Sequence, residues 1–510
     1  MKKHILSILF ILFSIIAFSQ DFDINLYAVA TKDYGSFKVG EEAHFVKFTH
    51  QTTDDFNGKI IEKFYLHTGD NKRFPVSSEL CKSFNFNKSN IQEFWDGKII
   101  YNVVDMLKDQ GFQYSLRKDI EDETIEYINI LDSYDVIFKD PYLENYLYGL
   151  IAKIAPSRII DGRPGSINII IQRNEVINAA CYPNGTIIIN TGMLAALHSE
   201  DELVAILAHE IAHFILDHSI KNINKAIQRQ KRAEFWVGIT TGLTAIAEVG
   251  MAAHASANNS YYEPGELTAS VAHLSTTVGK KVLDRLGMEY NHEQEKEADE
   301  IAREVVKYLG YDPNALSTAL SRIHQDYLAE RNNVQYFASY THPALVDRIK
   351  ENGQPNTNVS HEFEKMVSFA VSDIANMKYN NKRFHQCLQL VSQNIENNVG
   401  QVDDYILKAN CILATQNSLE SNIEALSLIN IAKQLNSNNL EIYKSEIIAT
   451  LRLNKVPEAI TLLKELIVRI DSLINNMSNV KGNIWDAYFK YYNSEKRWAS
   501  QMLTKLNGSL

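Results

Sequence analysis

Four cysteines in 510 residues, Cys81, Cys181, Cys387 and Cys411, are too few to frame a disulfide scaffold. Cys387 and Cys411 fall in one helical region and could pair in an oxidising compartment; the other reading is four buried free thiols. Basic residues are also short. Lys and Arg number 51 against 62 Asp and Glu, a formal net charge of -11. That balance argues against a nucleic-acid binder, whose phosphate contacts need a basic face. The one small basic run, Gln228 to Phe235, reads as a solvated helix face. Long apolar runs are scarce as well: only Ile5–Phe18 and Phe235–Ala255. Glu248 and His254 interrupt the second, and Gly, Thr and Ala dilute it, so it reads as a buried or cleft-covering helix rather than a membrane span. An intramembrane enzyme is disfavoured on that ground.

What is present begins with Lys2 and Lys3 ahead of the apolar run Ile5–Phe18, with small residues around Ala17 and Ser19. This is the pattern of a signal peptide over residues 1–19, cleaved before Gln20. An exported, periplasmic protein is expected; the alternative is membrane association on the periplasmic side without a span. The length implies several domains. Residues 20–135 mix short alternating runs such as HFVKFTH (His44–His50) with polar turns, and no catalytic motif marks a function there. From Pro141 the pattern changes. Tyr142–Ile154 has helical spacing, Ser166–Gln172 reads as a strand, and the turn Pro183-Asn184-Gly185 precedes a β-branched strand at Thr186–Thr191. Beyond residue 360 nearly everything is helical. CILAT (Cys411–Thr415) recurs as EIIAT (Glu446–Thr450) 35 positions on, and EAL (Glu424–Leu426) as EAI (Glu458–Ile460) 34 positions on. A period near 34 in paired helices resembles tetratricopeptide repeats, with a generic helical bundle as the alternative. The expected fold is α+β and mostly α: a helical domain with a small sheet over residues 136–355, then a helical repeat domain over 360–510.

The chemistry concentrates in ILAHEIAHFILDH, residues 206–218. SEDE (Ser199–Glu202) is a capping box that starts a helix running through it. His209 and His213 are four apart, so on a helix both imidazoles point to one spot, as two metal ligands must. Glu210 reaches the adjoining coordination position. The flanking Leu203, Ile206, Leu207, Ile211, Phe214 and Ile215 are apolar, and a His-Glu-His cluster in such a helix is costly to bury without a partner. A catalytic zinc needs three protein ligands and one open site. A third His six positions after His213 would fall at Ser219, so that pattern fails. An acid on a later helix meets the need: in NHEQEKEADEIA (Asn291–Ala302), Glu295 and Asp299 share a face. Glu295 is assigned as third ligand and Asp299 as acceptor for a ligand imidazole N–H. Glu293, Glu297 and Glu300 read as surface charges, and His218 as structural.

HEIAHFILDH, EKEAD, NAACYPNGTIIINTGML (Asn178–Leu194) and THPALVDRI (Thr341–Ile349) occur in an order that resembles the HtpX-like and BepA-like zinc metalloendopeptidases, a family that includes the CAAX prenyl protease. The likeness spans about residues 140–350 and implies a mainly helical, zincin-type metalloprotease domain. An exported catalytic domain followed by tetratricopeptide-like helices is the arrangement of the BepA-like branch. By that likeness one zinc per chain is bound by His209, His213 and Glu295, with Glu210 as general base. The strand Thr186, Ile187, Ile188, Ile189 and Asn190 corresponds to the cleft-edge strand that pairs with an extended substrate. His342 is either a cap on the zinc or oxyanion contact, or a loop histidine fixed before Pro343. The family pattern has Ser-Arg before the third-ligand segment; this chain has Asn291-His292.

Two functions of different class follow. The first is an exported zinc metalloendopeptidase acting on misfolded or stalled envelope proteins. Its repeats would dock unfolded or misassembled substrates or an envelope assembly partner. The second is a periplasmic chaperone or scaffold in which zinc holds the fold and the repeats do the work.

Overall fold

A computed structural model describes residues 18–54, 60–108, 114–133, 136–155, 167–229, 286–329, 342, 344–477 and 483–508. Residues 1–17 of the signal peptide expected over 1–19, the apolar stretch Phe235–Ala255, Thr341 and Pro343 lie outside the described residues. The chain is α+β and mostly helical, as its sequence pattern leads one to expect.

The N-terminal region forms a five-stranded sheet in the order β4-β3-β2-β1-β5. Its strands are β1 (Phe18–Ala30), β2 (Glu42–Asp54), β3 (Ile60–Thr68), β4 (Arg73–Pro75) and β5 (Phe84–Phe86). A register shift between Phe45 and Lys47 lets Phe45 and Phe48, three positions apart, both face the core. Between the strands lies α1 (Ser78–Ser83); α2 (Ile91–Lys108), α3 (Tyr114–Ser133) and α4 (Pro141–Ile154) follow. Phe45, Phe48, Leu66 and Trp95 belong to the same apolar core as Leu150, Leu207 and Ile211, so the sheet and the helices after it pack as one body. Trp95 Nε1 donates to the Ile154 carbonyl at 2.6 Å across that core.

A three-stranded sheet follows, β6 (Asn168–Gln172), β7 (Ala179–Cys181) and β8 (Thr186–Asn190), in the order β6-β8-β7. The turn before β8 uses Gly185 at φ 81°, and the Gly185 N–H donates to the Tyr182 carbonyl at 2.9 Å. β8 pairs parallel with β6 and antiparallel with β7. The expected edge strand Thr186–Asn190 is therefore corrected: it is the central strand, all five residues buried, its backbone engaged on both sides. Thr186, Ile187, Ile188 and Ile189 are all β-branched, a composition suited to a strand buried on both faces.

The helices around the site are α5 (Thr191–Ala196), α6 (Glu200–Ile215), α7 (His218–Arg229), α8 (His292–Tyr308), α9 (Ala315–Ala329) and α10 (Leu345–Glu351). The C-terminal helices are α11 (His361–Met366), α12 (Ser368–Asn380), α13 (Phe384–Glu396), α14 (Val402–Thr415), α15 (Leu419–Leu435), α16 (Leu440–Arg452), α17 (Val456–Met477) and α18 (Asn483–Gly508). Sequence neighbours from α12 to α18 pack on one another. CILAT and EIIAT fall on α14 and α16, EAL and EAI on α15 and α17. Cys387 and Cys411 are buried free thiols in one cluster with Val391 and Leu407. Among the described residues no single helix is long and apolar enough to cross a membrane.

Candidate metal centre

α6 opens at Ser199, whose Oγ accepts from the Glu202 N–H at 3.3 Å. The expected reciprocal half of the capping box is displaced by one residue. The Glu202 carboxylate accepts from the His198 N–H at 3.4 Å and from Arg322 Nε at 2.8 Å. From Glu202 to Ile215 every residue of the helix is buried. It is packed against α8, α9 and β7, with α2 near its end.

α8 begins at Asn291, whose side chain accepts from the Glu293 and Gln294 N–H groups at 3.0 and 3.1 Å. Gln294 returns a contact to the Asn291 N–H at 3.0 Å, and its amide donates to the His218 carbonyl at 3.3 Å. Asn291 thus supplies a complete capping box where the family pattern has Ser. Glu295, Ala298 and Asp299 face inward from it, while Glu293 and Glu300 are exposed.

His209, His213, Glu295 and His342 converge, with one donor atom from each lying within 4.8 Å of the others, all buried. The two Nε2 atoms of His209 and His213 are 3.0 Å apart. Glu295 places its oxygens 3.5 Å from His209 Nε2 and 3.7 Å from His213 Nε2. His209 Nδ1 lies 2.9 Å from Asp299 Oδ1, and a carboxylate only accepts, so that nitrogen carries the hydrogen. His213 Nδ1 lies 2.8 Å from His218 Nδ1. Both Nε2 atoms therefore turn toward each other and toward an anionic carboxylate in a dry interior. Such a donor set asks for a cation. The same demand shows in His209: burial pulls its pKa down, yet the bonds to Asp299 and Glu295 lift it to about 9. Two imidazole nitrogens and a carboxylate suit a divalent metal of the zinc type.

Glu210 points to the other side of the same site. One oxygen accepts from the Cys181 N–H at 3.1 Å, and the other lies 3.5 Å from His342 Nε2. Burial raises its pKa, against the pull of His342 and His209. His342 spans the cluster, with Nδ1 3.0 Å from Glu295. Several supporting residues escaped the sequence reading. Arg348 is buried between the two inward acids, 2.6 Å from Glu295 and 2.6 and 2.8 Å from Asp299. Asn352 donates to Asp299 at 2.8 Å. The Tyr290 ring stacks on His213 at 3.7 Å. Glu297, expected to be a plain surface charge, reaches His218 Nε2 at 3.2 Å. A signal for Arg348 existed: two acids facing a core require a buried cation, and Arg348 stands in the THPALVDRI segment.

Residues 143–354 match the sequence profile of peptidase family M48. This segment is a peptidase family M48 domain. The chain is similar to the putative beta-barrel assembly-enhancing protease of Vibrio cholerae, 24% identical over 225 residues, or 44% of this chain and 41% of that protein. It is also similar to the beta-barrel assembly-enhancing protease of Escherichia coli K12, 26% identical over 203 residues, 39% of this chain and 36% of the relative. The mitochondrial metalloendopeptidase OMA1 of Schizosaccharomyces pombe is 28% identical over 194 residues, 38% of this chain and 48% of that one. The chain therefore spans less than half the length of these curated relatives. The M48 domain contains every residue of the cluster just described.

Proposed function

We propose that the chain is an exported zinc metalloendopeptidase that hydrolyses peptide bonds in misfolded or stalled envelope proteins. The observation that carries this reading is the convergence of His209, His213 and Glu295 on one buried point with Glu210 beside it. The names of the relatives, beta-barrel assembly-enhancing protease and metalloendopeptidase, support the class of activity and of substrate. His209, His213 and Glu295 would hold the zinc, which would supply a Lewis acid to polarise the scissile carbonyl and acidify water. Glu210 takes the proton of the attacking water and hands it to the leaving amine. Its hydrogen bond from the Cys181 N–H aims the carboxylate while leaving the second oxygen toward the site. Asp299 orients His209. β7, the strand nearest Glu210, takes over the substrate-pairing role expected of Thr186–Asn190. Asn190 N donates to Asn178 O and Tyr182 N to Thr186 O, so Ala179 and Cys181 turn their backbone groups away from β8. The Cys181 N–H is taken by Glu210, which leaves the Ala179 N–H and the Ala179 and Cys181 carbonyls for a substrate strand. The C-terminal helices form a tetratricopeptide-like docking surface for substrate or an assembly partner.

The position of His342 across the ligand cluster favours a second reading, a zinc-held periplasmic scaffold or a capped, latent enzyme. Incubation of the chain beginning at Gln20 with zinc and casein, beside Glu210→Gln, separates the two. Cleavage by the parent alone supports the peptidase, with a loss in the variant of about 100- to 10,000-fold. Zinc bound by both chains and cleavage by neither sinks the peptidase reading in favour of the second.

A further inference from the structure

We propose that His218 and Glu297 are positioning residues of the metal centre, a relay that holds His213 as an Nε2 ligand from outside the ligand set. The inference rests on the metal-site reading above and adds a surface carboxylate to it.

The geometry starts with a helix break. On an uninterrupted helix, His218 would stand five positions after His213 and about 140° around the axis from it. α6 instead ends at Ile215 with Leu216 as its C-cap, and Asp217 takes a left-handed conformation at φ 53°. Asn102 on α2 fixes that turn, its amide donating to the Ile215 carbonyl at 3.2 Å and to Asp217 Oδ2 at 2.7 Å. The chain folds back, and His218 opens α7 with its Nδ1 2.8 Å from His213 Nδ1.

The direction of each hydrogen bond then follows by elimination. Glu297 Oε2, on the outer face of α8, lies 3.2 Å from His218 Nε2. A carboxylate has no hydrogen to give, so His218 Nε2 carries the N–H. A neutral imidazole has one N–H, which leaves a lone pair on His218 Nδ1. His213 Nδ1 must donate to it, and the His213 Nε2 lone pair is left facing Glu295 and His209 Nε2. Tyr290 stacks on the His213 ring at an interplanar angle of 16°, and its hydroxyl is held by Ser219 Oγ at 3.0 Å, so ring rotation is blocked as well. His209 reaches the same tautomer through Asp299 directly. The two ligand histidines are therefore oriented by different devices: one by a buried carboxylate, the other by a buried imidazole backed by a carboxylate whose side chain is 58% exposed.

The test uses the full chain and three variants, His218→Phe, His218→Gln and Glu297→Ala. Zinc affinity is read by competition with a chromophoric chelator, and folding by circular dichroism of the metal-free chains. The relay predicts that His218→Phe weakens zinc binding about 10- to 100-fold. His218→Gln, which restores an acceptor for His213 Nδ1, should recover most of that loss, and Glu297→Ala should fall between the two. Folded His218→Phe and Glu297→Ala chains with parental affinity overturn the relay and leave the metal site standing. A parent that binds no zinc overturns both. If His218→Phe does not fold, Glu297→Ala decides alone, since the side chain it truncates lies at the surface.

Discussion

α6 and α8 build the candidate metal centre from opposite material. α6 is buried on every side from Glu202 to Ile215, so its His-Glu-His group is an island of polarity in an apolar helix. α8 is amphipathic: Gln294, Glu295, Ala298, Asp299, Ile301 and Ala302 face inward, and Glu293, Lys296, Glu297 and Glu300 face out. On α6 burial itself marks the functional residues, because an unpaired polar group there is costly. On α8 the functional acids stand among identical-looking acids, and only packing sorts them. The compensation differs as well. The α6 imidazoles turn lone pairs into the site, whereas Glu295 and Asp299 share the single Arg348 guanidinium, which offsets one of their two negative charges.

The sharpest test of this contrast is on α8 alone. Glu295→Gln should weaken zinc binding by more than the roughly 10- to 100-fold of an outer-shell change, and Glu300→Gln should leave it at the parental value. Equal effects in a competition titration would erase the distinction between the two faces. Next in size is Arg348→Met, which strips the cation from two buried carboxylates. Urea unfolding of the metal-free chain should show a loss of about 3–5 kcal/mol. On α6 the corresponding change is a cavity: Ile211→Ala should cost about 2–5 kcal/mol, against about 0.5 kcal/mol or less for Glu293→Gln on α8. The smallest effect concerns the approach to α10, which carries Arg348. Ala344 sits at φ 60°, where a Cβ is strained, so Ala344→Gly should stabilise the chain by about 0.5 kcal/mol in the same assay.

Much of the centre was legible before any coordinates. The spacing of His209 and His213, the acid on a later helix and the role of Asp299 as an imidazole partner all rest on helical periodicity, which is local. The structure brings those side chains together in one buried cluster. What escaped is non-local. Thr186–Asn190 reads as an edge strand by composition and likeness, but sheet order depends on which segments return beside it, and β6 and β7 flank it. His218 and Glu297 each have an ordinary explanation alone; their contact exists because Asp217 breaks α6 and turns the chain back. The N-terminal region carries no motif, yet it shares the core of α6 and supplies Asn102 to that break.

By itself the sequence determined the mostly helical α+β class, the helix bearing HEIAH, the pair of imidazoles on one face and the acid partners available to it. Those follow from side-chain period and residue chemistry within a few turns of helix. Tertiary structure decided which acids of α8 face the site, that they share Arg348, that β8 lies inside its sheet, and that His218 stands behind His213. Each of those depends on segments far apart in the chain being packed to close a dry interior, where every buried charge and N–H must find a partner.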